Sequence, residues 1–283
     1  MQLVIHPKTR QQLDHFIANP SHAVLLSGPA GGGKSAFAKL LVQSVMKVET
    51  SFKTNPNVMY ITAGKGASIG IESVREIDKF LRLKVPFSRG INRAIIIENG
   101  SLLTTEAQNA LLKTLEEPPT DTILILTANQ PQSLLPTIIS RVQQIHLLSP
   151  SLGELTSHFE LQGFEAFAIK RAYGMTGGLP GLMHAILTNS DHPLVTALDK
   201  ARLLLGKSTY ERLINIDELS KNKELVSNVL FMMQQMAHVS LLSAGEETAK
   251  QWRQVLAASF EATTELAVSA QPKLTLTKLM LSL

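Results

Sequence analysis

Two short stretches hold the residue types best suited to chemistry. The first, "GPAGGGKS" at residues 28–35, sets Gly28, Gly31, Gly32 and Gly33 ahead of Lys34, Ser35 and then Ala36, matching the spacing G-x-x-x-x-G-K-[ST]. Glycines let backbone N–H groups wrap phosphate oxygens, and a following helix N-terminus adds partial positive charge. Lysine then meets the outer phosphates, and the serine hydroxyl can hold Mg²⁺. The ligands this spacing predicts are ATP and Mg²⁺. The second stretch, "RAIIIENGSLLT" at residues 93–104, reads as a buried strand that ends in Glu98-Asn99. In enzymes that split ATP with such a loop, a strand of this kind ends in an Asp that helps hold the metal, and in many a following Glu polarises the attacking water. Glu98 can still face the metal, together with Ser35, although its carboxylate sits one methylene further out. Asn99 can hydrogen-bond a water but cannot take its proton, and losing a general base costs about 10² to 10⁴ in rate. The expectation is therefore a site that binds ATP and hydrolyses it weakly or not at all. The alternative is that Glu98 itself acts as the base.

The elements that must position these residues follow from periodicity. Short apolar runs at 23–27, 58–61, 94–98, 122–127 and 143–148 alternate with amphipathic segments, the pattern of a parallel sheet covered by helices. "AVLLS" feeds the glycine-rich loop and "AFAKLLVQSVM" leaves it, the strand–loop–helix setting the motif requires. "IESVREIDKFLRL" and "TTEAQNALLKTLEE" carry apolar residues at three- and four-residue spacing, with Asp78 the misfit in the first. Thr105 followed by Gln108 resembles a capping box, and Pro118-Pro119 stops the second helix. After "LSPS" the alternation ends and helical patterning takes over. The organisation read from this is residues 1–150 as an α/β nucleotide-binding domain, 151–193 as a small helical domain, and 194–283 as a third, all-helical one.

With "TTEAQNALLKTLEEPP" and "LLPTIISR" added to the glycine-rich loop, "IGIESVREI" and the Glu98 strand, the chain resembles the bacterial sliding-clamp loader subunits. These are AAA+ proteins of the DNA polymerase III delta-prime and gamma/tau kind. The resemblance covers about residues 20–150; beyond it, the helical layout and the closing "PKLTLTKLMLSL" are similar in a weaker way. It implies an AAA+ P-loop sheet, a helical lid and a helical collar that oligomerises. It also implies a hetero-pentamer with gamma/tau-like and delta-like subunits that places a sliding clamp on primed DNA. In that scheme Asn129, ending "ILTAN", corresponds to the family's sensor 1, and Arg141 in "ISR" to an arginine finger directed at a neighbour's nucleotide. Val142 stands where the motif usually has Cys. Leu182 stands where the lid usually offers the sensor 2 arginine, and the zinc-binding cysteines of many relatives are missing. These departures favour a delta-prime-like scaffold and arginine donor over a gamma-like motor.

The bulk composition narrows the field further. Zero cysteines exclude disulfides and thiolate metal sites, and the eight histidines lack ligand spacing. The formal charge of +4 is too small to imply nucleic-acid binding by itself. Lys65, Arg75, Lys79, Arg82, Lys84, Arg89 and Arg93 form a basic run that a solvated helix face explains more simply than a DNA-backbone contact. "FMMQQMAH" at 231–238 has the spacing of helix core, and Trp252 reads as an inter-helix anchor rather than a base-stacking platform. No run of about 18 apolar residues occurs, so no membrane is expected and the chain is read as cytoplasmic.

Overall fold

The computed structural model describes residues 3–47, 55–63, 68–82, 90–190, 192–242, 245–267 and 270–283. Contacts divide the chain into two compact units, Met1–Pro150 and Ser151–Leu283.

Among the described residues the first unit is built on five strands: β1 (Ala23–Ser27), β2 (Val58–Ile61), β3 (Arg93–Ile97), β4 (Thr122–Ala128) and β5 (Gln143–His146). They lie in the order β2-β3-β4-β1-β5, and every pairing is parallel. A parallel sheet needs cover on both faces, so its inner strands are apolar without interruption. β1, β3 and β4 accordingly have every residue buried, whereas the edge strands β2 and β5 do not. Leu13, Phe16, Leu41, Val24 and Ile96 form the core on the face covered by α1 (Pro7–Ala18) and α2 (Lys34–Met46). The opposite face packs Ile95, Ile97, Leu126, Ile77 and Leu111 beneath α3 (Ile71–Leu81) and α4 (Thr105–Glu116), with Ile138 of the single-turn α5 (Pro136–Ile139) alongside. Thr9 fastens α1 to the β5 edge: its buried hydroxyl donates to His146 O at 3.3 Å and accepts from the Leu148 N–H at 3.1 Å. This occupies backbone groups that an open edge would expose.

Two expectations change here. Thr104, not Thr105, caps α4, accepting from the Ala107 N–H at 3.2 Å. Gln108 is therefore free of the capping box; it donates to Leu103 O at 3.2 Å and accepts from the Leu135 N–H at 2.8 Å, tying α4 to the segment that leads into α5. Arg93 also leaves the basic run. Its guanidinium is buried and donates to Leu81 O and to the Asp121 carboxylate, each at 2.6 Å. Of the rest of that run, Arg75 pairs with Glu72, Lys79 and Arg82 are exposed, and Lys65, Lys84 and Arg89 lie outside the described residues.

Among the described residues the regular elements of the second unit are all helices: α6 (Leu152–Leu161), α7 (Ala166–Thr176), α8 (Pro180–Leu187), α9 (Pro193–Leu205), α10 (Thr209–Ile214), α11 (Ile216–Leu219), α12 (Lys223–Leu241), α13 (Glu246–Ala267) and α14 (Pro272–Ser282). Capping boxes at Ser151/Glu154 and Ser208/Glu211 start α6 and α10. Met232 and Met233 are fully buried on α12, in keeping with their spacing, and Trp252 is half-buried on α13. Gln234 joins α12 to α13 by donating to Thr263 Oγ1 at 2.9 Å and Ser259 O at 3.2 Å. Leu182 is fully buried in α8. Among the described residues no helix is long and apolar enough to cross a membrane.

The Arg93–Asp121 pair supports a stability prediction. Burial pushes the Asp121 carboxyl up, but the hydrogen bond and charge of Arg93 outweigh it and hold the group below the usual carboxylate range. A depressed acid stabilises the fold above its unfolded pKa and ceases to do so as pH falls through its folded one. Asp121→Asn is therefore expected to cost about 3–5 kcal/mol in denaturant unfolding at pH 7. The difference from the parent chain should shrink below about pH 4.

Candidate functional site

The glycine-rich loop leaves the sheet where β1 ends between two parallel neighbours. Gly28 N–H donates to Ala128 O at 3.3 Å, and Leu147 N–H donates to Ser27 O at 2.7 Å, so β4 and β5 hold the take-off point from both sides. Gly28 has φ +152°, and a Cβ there would meet Leu147 O at 3.0 Å; a side chain would push β1 away from β5. Gly33 has φ +86° and starts α2, accepting from the Phe37 N–H at 3.0 Å. Only glycine enters this left-handed region without cost. Gly31 and Gly32 complete the loop, and Lys34, Ser35 and Ala36 form the first turn of α2, with N–H groups that no earlier turn can satisfy.

Lys34 turns back over the loop. Its ammonium donates to Gly28 O at 2.9 Å, Pro29 O at 2.8 Å and Asn129 Oδ1 at 2.9 Å. Burial lowers its pKa from the ordinary lysine value of 10.5 to about 8, against the opposing charge of Glu98. Asn129 directly follows β4, so the β1–β4 register, which pairs Ser27 with Ala128, places it beside the loop. Glu98 directly follows β3, with its N–H donating to Ile61 O at 2.8 Å, and it is half-buried.

The fold therefore brings together Lys34, Ser35, Glu98 and Asn129, four of the residues singled out by sequence. It adds Tyr60, which the sequence reading passed over. The Tyr60 phenol is raised above its ordinary range by burial and then by the Glu98 carboxylate nearby, and the Lys39 ammonium stands 5.6 Å from its ring centroid. The signal available in sequence was a polar-ended aromatic in an otherwise apolar strand.

Asn99 and Arg141 have other engagements. Asn99 is left-handed, with φ 56° and ψ 61°. Its N–H donates to Thr127 Oγ1 at 2.9 Å and its side-chain oxygen accepts from Ser101 Oγ at 2.7 Å, so it shapes the turn after β3. Arg141 follows α5. It donates to Thr137 O at 3.0 Å and to Glu116 Oε1 at 2.7 Å, with 36% of its side chain exposed. Glu116, in "LEEPP", is thus the second residue whose contact the sequence did not disclose. Val142 is buried against the α3/α4 core.

The arrangement can hold an anion. Positive-φ glycines turn the loop, α2 supplies free N–H groups, and Lys34 carries an ammonium that burial has deprived of water. ATP fits these features: Gly28, Gly31, Gly32, Gly33, Lys34, Ser35 and Ala36 would hold the phosphates, Asn129 would face the terminal one, and Ser35 and Glu98 are the oxygen donors suited to Mg²⁺.

A family model described as "DNA polymerase III, delta subunit" matches residues 5–151. The DNA polymerase III subunit delta' of Haemophilus influenzae is 31% identical over 161 residues, covering 52% of this chain and 48% of that protein. The subunit tau of Bacillus subtilis is 39% identical over 137 residues, 44% of this chain and 24% of that one. The chain thus spans about half the length of the first relative and about a quarter of the second. Among solved structures, the Thermotoga maritima RuvB Holliday junction branch migration motor aligns with a TM-score of 0.50 at 14% identity, over 95% of this chain and 87% of that chain. The likeness is one of fold, and it agrees with the AAA+ architecture.

The state of Lys34 is open to measurement. Its amine-labelling rate, followed by peptide mass spectrometry, is expected to rise with a midpoint near pH 8 and to shift upward when ATP is added. Between about pH 8 and 10.5 the unfolded chain holds the extra proton, so stability should rise with pH across that window, and Lys34→Met should abolish that rise.

Proposed function

The chain belongs to the DNA polymerase III delta-subunit family, and from that premise we propose that it is a delta-prime-like subunit of a sliding-clamp loader. In this reading it binds ATP without splitting it efficiently and lends Arg141 to a neighbouring ATPase. The observation that carries the reading is the tethering of Asn99. An intact phosphate loop stands beside an acidic strand whose next residue is an amide, left-handed and bonded to Ser101 and Thr127. The site can retain the nucleotide while lacking the usual group to receive the water's proton.

The bound nucleotide then serves structure. Phosphates held by Gly28 to Ala36 and Lys34 fix the loop, and Asn129 reports the terminal phosphate to the β4 end. Mg²⁺, when bound at Ser35 and Glu98, supplies charge neutralisation for the phosphates. Arg141, just after α5, is held by Glu116 at a half-exposed position from which a guanidinium can exchange a carboxylate for a phosphate. The partners are gamma/tau-like and delta-like subunits in a hetero-pentamer, the sliding clamp, and primed DNA through the complex.

A second reading, a gamma-like motor in which Glu98 is the base, draws on the match to a tau subunit. It differs in what the isolated chain does with ATP. After incubation with Mg²⁺ and labelled ATP, the protein-bound nucleotide is expected to be recovered as ATP. Recovery as ADP, abolished by Glu98→Gln, would establish the motor reading instead. In the assembled complex, Arg141→Ala is expected to slow ATP turnover by the neighbouring subunit about 10³-fold or more, with the variant's own melting temperature nearly unchanged because the ion pair it loses is solvent-accessible. Turnover at the parental rate would remove the finger role.

A further inference from the structure

The Lys34 ammonium has every N–H bond committed within the protein. An ammonium has three to give and cannot accept, and three oxygens take them: Gly28 O at 2.9 Å, Pro29 O at 2.8 Å and Asn129 Oδ1 at 2.9 Å. A phosphate oxygen can bond this group only by displacing one of the three. Two belong to the loop backbone and are fixed with it. Gly28 is pinned to the end of β4, its N–H donating to Ala128 O at 3.3 Å, and Pro29 O accepts in addition from the Gly32 N–H at 3.1 Å. The third belongs to an exposed side chain, which can turn about its own bonds between staggered positions. Of the three acceptors, Asn129 is the one able to give way.

We infer that Asn129 is a gate on Lys34: it occupies the third N–H of the ammonium and yields it to an anionic oxygen, so that nucleotide binding is coupled to release of this side chain. The inference rests on the ATP-binding reading above and specifies how the phosphates are admitted. The exchange has a direction, because the competitors differ in charge. An N⁺–H bond to a charged phosphate oxygen is stronger than one to a neutral amide oxygen. An uncharged ligand therefore leaves the gate in place, whereas a phosphate opens it. The selectivity is obtained at some loss of affinity, since each nucleotide that binds must first break the Asn129 bond. The released residue directly follows β4, whose register with β1 sets it beside the loop. Occupancy of the phosphate site is thereby converted into the position of one side chain at the end of a central strand.

Asn129→Ala removes the amide and leaves both loop carbonyls in place. ATP binding to the full chain would be measured by titration calorimetry, and amine labelling of Lys34 would be followed against pH without nucleotide. The variant is expected to bind ATP about three- to tenfold more tightly than the parent, because the competing bond is gone. Its labelling midpoint should move to lower pH, because an acceptor that favours the charged amine has been removed. Weaker ATP binding by the variant would overturn the gate and show the amide helping to hold phosphate. Unchanged affinity, or an unmoved labelling midpoint, would also overturn it, with the ATP-binding reading left standing. Failure of both proteins to bind ATP would overturn that reading and the gate together.

Discussion

The first unit is organised around one electrostatic requirement, the placing of the Lys34 ammonium where water reaches it poorly. Burial drives the group toward neutrality and the charge of Glu98 opposes it, while three oxygens accept its hydrogen bonds: two carbonyls of the loop it covers, and the side chain of Asn129. None of the three is in place by chance. The carbonyls of Gly28 and Pro29 face inward because the loop is wound through positive-φ glycines. Asn129 is there because β4 runs parallel to β1 in a register that ends both strands together. The sheet, the loop and the first turn of α2 are thus parts of one arrangement for a single charge, and that charge is most fully satisfied when an anion joins the set.

The parts of this arrangement legible in the sequence were those carried by local pattern. Uninterrupted apolar runs marked β1, β3 and β4 to within a residue or two, because buried parallel strands admit no polar alternation, and the shorter runs at 58–61 and 143–148 marked the edge strands β2 and β5. The glycine spacing marked the loop because left-handed backbone excludes other residue types. What stayed hidden depended on side chains meeting across the chain. Arg93 read as one more charge in a basic run, since nothing local says that Asp121, 28 positions on, will face it. Thr104 and Thr105 are indistinguishable as caps until the backbone chooses which is extended. Tyr60 went unremarked within its apolar run because the partner of its ring, Lys39, comes from α2. Glu116 was visible as part of "LEEPP", but its contact with Arg141 requires α4 and α5 to be packed together by Gln108.

Two arginine pairs of the first unit, Arg93–Asp121 and Arg141–Glu116, show how burial separates architecture from availability. Arg93 and Asp121 meet at 2.6 Å with the guanidinium 8% exposed. Arg141 and Glu116 meet at 2.7 Å, with 36% and 52% of the two side chains exposed. The distances are nearly equal and the chemistry is the same, yet the consequences diverge. Removing a partner from the first leaves a charge uncompensated inside the protein, at a cost of about 3–5 kcal/mol; in the second, water replaces the partner and the cost falls to about 1 kcal/mol or less. An arginine that must leave its own subunit's carboxylate for a neighbour's phosphate can do so only from a pair of the second kind. In the proposed finger role, the partial exposure of Arg141 would make it releasable, and the carboxylate of Glu116 would hold it until release. A finger needs both properties, and a buried pair supplies only one.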